Sequence, residues 1–235
     1  MQLFYCKNRE GNTAVLTEEE SWHCVKVLRK KAGDVIHLID GTGGFYQAIL
    51  TDAHPKACTV EITSEESNYK KRNYHLHIAI APTKNMDRIE WFAEKAVEIG
   101  VDEISFLLCK ASERKVVKTE RILRVVESAV KQSIQAYLPR VNELMPFKKF
   151  IEEQKNNKAG KLIAHCMEDN AVPLKKLISP GENVLCLIGP EGDFSRDEAE
   201  LAFQHQYQGL SLGANRLRTE TAGLYVCNAL AFLNS

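Results

Sequence analysis

The stretch that most constrains this chain of 235 residues is a short apolar run that ends on a loop. Val184-Leu185-Cys186-Leu187-Ile188 is followed at once by Gly189-Pro190-Glu191-Gly192. An uninterrupted apolar run stopped by Gly-Pro-x-Gly predicts a buried strand that breaks at a tight turn. Ser195 and Glu198 stand at capping-box spacing, so a helix is expected to start there and run to about His205. A second short strand, Gly209–Leu212, is stopped by Gly213. A last amphipathic helix starts near Thr219, with Leu224, Cys227 and Ala231 at helical spacing. Two glycine-broken loops at the carboxyl ends of buried strands are where an α/β sheet usually holds its ligand. Alone, Gly-Pro-Glu-Gly is as readily a plain turn. No Gly-x-Gly-x-x-Gly opens a helix and no Gly-Lys-Ser/Thr loop is present, which argues against a dinucleotide oxidoreductase or a P-loop enzyme.

Upstream, strand and helix alternate, so the class is α/β with a parallel sheet covered by helices on both faces. Tyr74–Ala81 and Glu103–Cys109 read as strands, as do Leu162–Cys166 and Val184–Ile188. Asn85–Ile99 reads as a helix burying Met86, Ile89, Phe92, Ala93 and Ala96, and stopped by Gly100. Thr119–Tyr137 reads as a helix burying Ile122, Val125, Val126, Ala129 and Ile134, and ended by Pro139. The first 65 residues or so read instead as a small β-barrel. Asp34–Asp40 and Phe45–Leu50 flank Gly41-Thr42-Gly43-Gly44, a hairpin signal, and Lys56–Thr63 alternates as another strand. One helix interrupts them, capped by Thr17 and Glu20, with Trp22, Val25 and Leu28 on its inner face up to Lys31. Ser64–Asn73 is polar and nearly free of aliphatic residues, and reads as a linker between domains at 1–68 and 74–235.

Composition narrows the function less than the loops do. Seven scattered cysteines without a Cys-x-x-Cys point to reduced thiols, a cytoplasmic setting, and neither a disulfide framework nor a metal site. Neither a signal peptide nor a membrane-spanning run is expected. Basic and acidic residues balance at 31 each, unlike many nucleic-acid binders. From Lys110 to Lys131, however, seven basic residues face three acidic ones. Such a local basic face can bind phosphates in a neutral chain; a solvated helix surface is the plainer alternative.

The paired loops, Ile-Gly-Pro-Glu-Gly and Leu-Gly-x-x-x-Leu-Arg-Thr-Glu-Thr-Ala, resemble the cofactor-binding signature of SPOUT-type RNA methyltransferases. Within these they are most similar to the RsmE family of 16S rRNA uracil-N3 methyltransferases. The likeness spans the chain. His23–Arg29, Gly33-Asp34 and Asp40-Gly41-x-Gly43 resemble the family's amino-terminal PUA-like RNA-binding domain. Lys84, Asp87, Arg88, Glu90, Lys95, Glu98, Gly100 and Val101 fall where the family has its Lys…Lys-x-x-Glu-Leu-Gly-Val element. Ser112-Glu113-Arg114 matches Ser-Glu-Arg, and Gln132-Ser133 matches part of Glu-Gln-Ser. Three positions depart from the pattern: Lys115 stands in place of Ser, Ile134-Gln135 in place of Gly-Arg, and Asp193 in place of a second Gly after Glu191.

The resemblance implies a SPOUT-type parallel sheet with a carboxyl-terminal trefoil knot, preceded by a PUA-like β-barrel domain. It also implies S-adenosylmethionine as cofactor, a homodimer, and 16S rRNA, within the assembled small ribosomal subunit, as substrate. His165, Cys166, Gly189, Pro190, Glu191, Gly192, Leu212, Gly213 and Leu217 would form the cofactor slot. Arg29, Lys30, Lys31, Lys84, Arg88, Arg114, Lys115 and Gln132 would face RNA. Methyl transfer from a sulfonium needs placement more than a metal, and correct placement contributes about 7–11 kcal/mol. Uracil N3 must lose a proton, so Arg218 is expected to stabilise the resulting anion. Glu191 is the candidate base, or else it holds the turn. Glu220 is expected to cap the last helix. A methyltransferase of another rRNA or tRNA nucleotide, or a non-catalytic ribosome-assembly protein on the same scaffold, fits the sequence too.

Overall fold

The computed structural model describes residues 1–6, 8–165 and 171–235; the expected cofactor contact at Cys166 lies outside these. The chain divides into two compact units. One comprises Met1–Lys71 with Val130–Leu138, the other Arg72–Ala129 with Pro139–Ser235.

The first unit is built on a six-stranded sheet. Its strands are β1 (Leu3–Tyr5), β2 (Asn8–Glu10), β3 (Thr13–Val15), β4 (Val35–Ile39), β5 (Phe45–Asp52) and β6 (Thr59–Glu66), in the order β1-β4-β5-β6-β3-β2. Only β1 and β4 run parallel. Along β5, Tyr46, Ala48 and Leu50 are buried while Gln47, Ile49 and Thr51 are exposed, the period-two pattern of a half-buried strand. The β4–β5 turn is tied by Asp40, which accepts from the backbone N–H groups of Thr42 and Gly44 at 2.7 and 2.9 Å. Strand β6 continues to Glu66, so the first residues of the segment read as a linker are strand. Their polar side chains hid this, because Ser64, Glu65 and Glu66 are exposed and carry none of the apolar alternation that marks a strand, although their backbones pair with β5.

The helix between β3 and β4 departs further from expectation. Thr17 caps α1 (Glu18–Trp22), accepting from the Glu20 N–H at 3.3 Å. Glu20 does not close the capping box. Its buried carboxylate accepts instead from the Tyr5 N–H at 3.3 Å and from Lys131 Nζ at 2.9 Å. After Trp22 the backbone widens into one π-helical turn, His23–Val27, with Leu28 N–H bonded to the His23 carbonyl. A wider turn changes which side chains share a face. Cys24 is buried and Val25 and Leu28 half-buried, but Trp22, expected inside, is 56% exposed.

The second unit carries a seven-stranded, fully parallel sheet. In chain order it contains β7 (Leu76–Ile80), α2 (Met86–Ile99), β8 (Glu103–Leu108), α3 (Thr119–Gln132) and β9 (Arg140–Pro146). There follow α4 (Phe147–Glu153), β10 (Gly160–Ala164), β11 (Val172–Pro173), β12 (Val184–Ile188), α5 (Arg196–Gln204), β13 (Gln208–Ser211) and α6 (Thr219–Leu233). The strand order is β11-β13-β10-β12-β7-β8-β9. The central strands β7 and β12 are buried at every residue, as unbroken apolar runs require of a sheet covered on both faces. Asn85 caps α2 and Gly100 ends it at φ +129°. Met86, expected in the core, is half-buried at the helix's first turn. Gly223 lets α6 approach α2 closely: a Cβ there would sit 2.5 Å from the Phe92 ring. Cys227 is in the core, whereas Leu224 and Ala231 are half-buried.

Helix α3 stops at Gln132, short of the expected Tyr137. Ile134 follows in the left-handed conformation, φ +55°. The chain then joins the first unit, where Ala136 O accepts from Gly43 N–H at 3.0 Å and Leu138 N–H donates to Gly41 O at 2.9 Å. Backbone partners outside the helix thus end it before Pro139 does.

A row of polar groups crosses the buried sheet. His77 on β7 lies 2.8 Å from the Ser105 hydroxyl on β8, to which Asn142 Nδ2 on β9 also donates at 2.8 Å. Burial pushes the His77 imidazole down to about 4, although Glu103, 3.8 Å away, opposes this. A histidine in the unfolded chain titrates near 6.5. The folded state therefore binds this proton less well, and stability that is complete above about pH 6.5 is lost as the pH falls toward 4. The loss at pH 5 is expected to be about 2 kcal/mol. Urea melts between pH 7.5 and 5 measure it, and His77→Gln should flatten the profile by a similar amount.

Candidate functional site

Strand β10 pairs with β12 on one side and β13 on the other, so Ala164 is level with both Ile188 and Leu210. The three loops that leave these strands begin at one height. They enclose a cleft of about 930 Å³ at the carboxyl edge of the sheet, within the range of small-molecule sites. The described residues expected to hold a cofactor all line it: His165, Gly189, Pro190, Glu191, Gly192, Leu212, Gly213 and Leu217. Arg218 lines it as well.

Local chemistry explains the shape of each loop. Ser195 and Glu198 form a complete capping box on α5, which anchors the loop after β12. The Glu198 carboxylate also accepts from the Lys110 N–H at 2.8 Å, tying the loop after β8 to the same place. Gly189 admits the Phe194 ring, which an added Cβ would meet at 3.1 Å. Asp193 N–H donates to the Pro190 carbonyl at 2.9 Å and closes the turn with φ +64°. At the second loop Gly213 adopts φ +103°, and the space beside it is open. Thr219, buried at the start of α6, donates its hydroxyl to the Gly189 carbonyl at 3.1 Å and joins the two loops.

The electrostatics are mixed. Burial lowers the pKa of His165, with Asp193 acting the other way. Arg88, expected to face RNA, lines the cleft, where its guanidinium lies 3.8 Å from both Glu191 and Glu220. Its place at the third residue of α2, a helix whose inner face packs on α6, accounts for this. Glu220 does not act as a side-chain cap. Arg218 occupies the N-cap position without a capping bond, and the Glu220 carboxylate is buried beside Arg88 with Oε2 lacking a hydrogen-bond partner. Arg218 is exposed and makes no ion pair among the described residues. Sequence reading missed Thr219 and the Arg88–Glu220 contact. The Thr-Glu pair inside Leu-Arg-Thr-Glu-Thr-Ala was the available signal, but helix-start propensity explained it equally well.

The remaining expected RNA contacts separate between the units. Lys84 pairs with Glu113 at 3.1 Å, Arg114 donates to the Lys84 carbonyl, and Lys115 is exposed. In the first unit Arg29 and Lys31 are exposed, Lys30 is half-buried and Gln132 is exposed. Three cations of the basic stretch are already engaged: Lys110 with Asp197, Arg121 with Glu90 and Lys131 with Glu20. Among the described residues no cluster of three His, Cys, Asp or Glu side chains suits a metal ion, and no helix is long and apolar enough to cross a membrane.

Thr219→Val keeps the shape of the side chain while leaving the Gly189 carbonyl without its donor. An unsatisfied buried acceptor costs about 1–3 kcal/mol, and equilibrium denaturation should register a loss of that size.

Residues 70–231 match the family model described as an RNA methyltransferase domain, and residues 16–63 match an RNA methyltransferase PUA domain. A ribosomal RNA small subunit methyltransferase E of Synechocystis is 31% identical over 89% of this chain and 70% of its own length. A probable rRNA methyltransferase from Porphyromonas gingivalis superposes with a TM-score of 0.91 at 41% identity, covering 100% of this chain and 98% of that one. The Neisseria gonorrhoeae ribosomal RNA small subunit methyltransferase E, solved with S-adenosyl methionine, gives 0.89 at 26% identity, covering 100% and 98%. The glycine loops, the cleft between them and these matches agree, and the chain belongs to the RNA methyltransferase family of ribosomal RNA small subunit methyltransferase E proteins.

Proposed function

We propose that this protein transfers a methyl group from S-adenosylmethionine to N3 of one uridine in 16S rRNA, in the assembled small ribosomal subunit. The observation that carries the reading is the cleft at the ends of β10, β12 and β13, where two glycine loops meet Arg218, which has no ion-pair partner among the described residues. Bound there, S-adenosylmethionine would supply a methyl group already made electrophilic by its sulfonium. The cleft suits it: the Gly189–Gly192 loop lines it, the space beside Gly213 is open, and Leu210, Leu212 and Leu217 offer apolar walls. Arg218 stabilises the negative charge that develops on the uracil carbonyl oxygens. The Glu191 carboxylate takes the N3 proton, while Arg88 beside it holds the carboxylate in place.

The wider parts of the reading follow from the same features. RNA binding falls to the first unit, residues 1–68 with the Val130–Leu138 segment that packs into it, and methyl transfer to the second, within residues 74–235. The path from β10 out to β11 and back to β12 and β13, on opposite sides of β10, favours a trefoil knot. Exposed Trp91 on α2, with Tyr225 and Phe232 on α6, offers an apolar surface for a homodimer. A cytoplasmic location follows from the substrate.

The test is to incubate the protein with labelled cofactor and small subunits lacking the modification, then map the product by mass spectrometry. A single N3-methyluridine in 16S rRNA is expected. Label on tRNA or on another nucleotide would replace this reading with a related methyltransferase, and no label with bound cofactor would leave an assembly factor. Arg218→Ala should lower turnover by about 100-fold or more, as loss of an anion-stabilising donor does, while calorimetry finds cofactor affinity little changed.

A further inference from the structure

The π-helical turn after α1 places an indole on the surface of the first unit, amid a run of cations. Trp22 is 56% exposed and Val27 50%. Single exposed apolar side chains are ordinary. Trp22 immediately precedes a π-helical turn and Val27 ends it, a geometry that gathers at functional places. The next residue but one, Arg29, sits in the left-handed region at φ +56°, where a non-glycine residue needs support from its surroundings. The opposite side of the segment is fixed inward, since Glu20, Ser21 and Cys24 are buried.

Charge marks the outward side for one kind of partner. Lys26, Arg29, Lys30 and Lys31 follow Trp22, and none has an ion-pair partner among the described residues. Many cations of the second unit are paired, among them Lys84, Lys95, Lys110, Arg121 and Lys149. Exposed Glu18 and Glu19 lie in the first turn of α1, at the far end from the cations. An aromatic face flanked by unpaired cations suits a single strand of RNA, whose bases stack while its phosphates meet the charges. The balanced charge of the chain adds weight to such short-range contacts, because long-range attraction to RNA is weak.

We propose that Trp22 stacks on an unpaired base of an RNA strand whose phosphates lie along Lys26, Arg29, Lys30 and Lys31. The inference deepens the RNA-binding role given above to the first domain and rests on it. Stacking supplies affinity without selecting the base; the uridine is chosen elsewhere.

The chain has two tryptophans, so Trp91→Phe leaves Trp22 as the only indole reporter. Oligouridylate of about ten nucleotides, without cofactor, is the probe. Its binding should quench Trp22 emission in parallel with the anisotropy of a labelled oligonucleotide. Trp22→Ala should weaken binding about 5- to 150-fold, and Trp22→Phe should recover most of the loss. The slope of log affinity on log salt should be unchanged in Trp22→Ala and shallower by about 0.7 in Arg29→Ala. Thermal melts of these surface variants should match the parent. Affinity for the oligonucleotide unaltered by Trp22→Ala would overturn the proposal. So would emission that changes only on diluting the protein, which would make the indole a contact between copies of the chain. Binding is read here without methyl transfer: failure of the small-subunit assay with quenching intact removes the catalytic reading alone, and the reverse removes only the stacking.

Discussion

Three neighbouring parallel strands, β13, β10 and β12, carry the rest of the arrangement. Their hydrogen-bonded register levels Leu210, Ala164 and Ile188, so the loops beyond them start together and can share one cleft. Separation in the chain makes this possible: β10, β12 and β13 are not joined by hairpins, and each loop is free to be shaped by its own cap and glycines. The Thr219–Gly189 bond then ties the last helix to the central loop. A shift of one residue in β12 would turn its side chains over and move Gly189 out of line, which is why the strand's buried, wholly apolar character matters to chemistry as well as to stability.

Sequence reading recovered the parts where local and tertiary forces agree. The Val184–Ile188 strand, the Ser195–Glu198 box and the Gly100 stop were all legible, because each is decided by a few adjacent residues. The parts that failed were decided at a distance. Strand β9 at the sheet edge shows neither an apolar run nor a clean alternation, and α4 is only seven residues long. Strand β10 begins at Gly160, two residues before the expected Leu162, since its apolar pattern is too short to mark its start. Glu20 looked like a local cap until Tyr5 and Lys131 claimed its carboxylate. In the cleft, the loops were legible from their glycines, whereas Arg88 came from a different strand–helix unit and no spacing rule connects the two.

Two departures from the resembling family acquire a physical sense. Ile134 and Asp193, standing where glycine is expected, both adopt positive φ. Asp193 is at ease there, since aspartate tolerates the left-handed region and its carboxylate accepts from the Phe194 N–H at 2.8 Å. Ile134 is branched at Cβ and has no such local compensation. Its backbone is held by the helix-ending bond of the Gln135 N–H to the Val130 carbonyl, and from farther along the chain by Lys70 Nζ on its own carbonyl. A positive φ at a β-branched residue is costly, so the bend is imposed by the contacts the segment makes.

That bend leads Val130–Leu138 onto the first unit, with Tyr137 laid over Gly43 and Lys131 anchored on Glu20. The polypeptide therefore passes between the two units three times, after Lys71, after Ala129 and after Leu138, rather than once. The amino-terminal domain is consequently not a contiguous piece of sequence. Cut free at Lys71, it would lose its last segment and leave the Glu20 carboxylate buried without its ammonium, so an end-to-end fusion at that point would carry over an incomplete module.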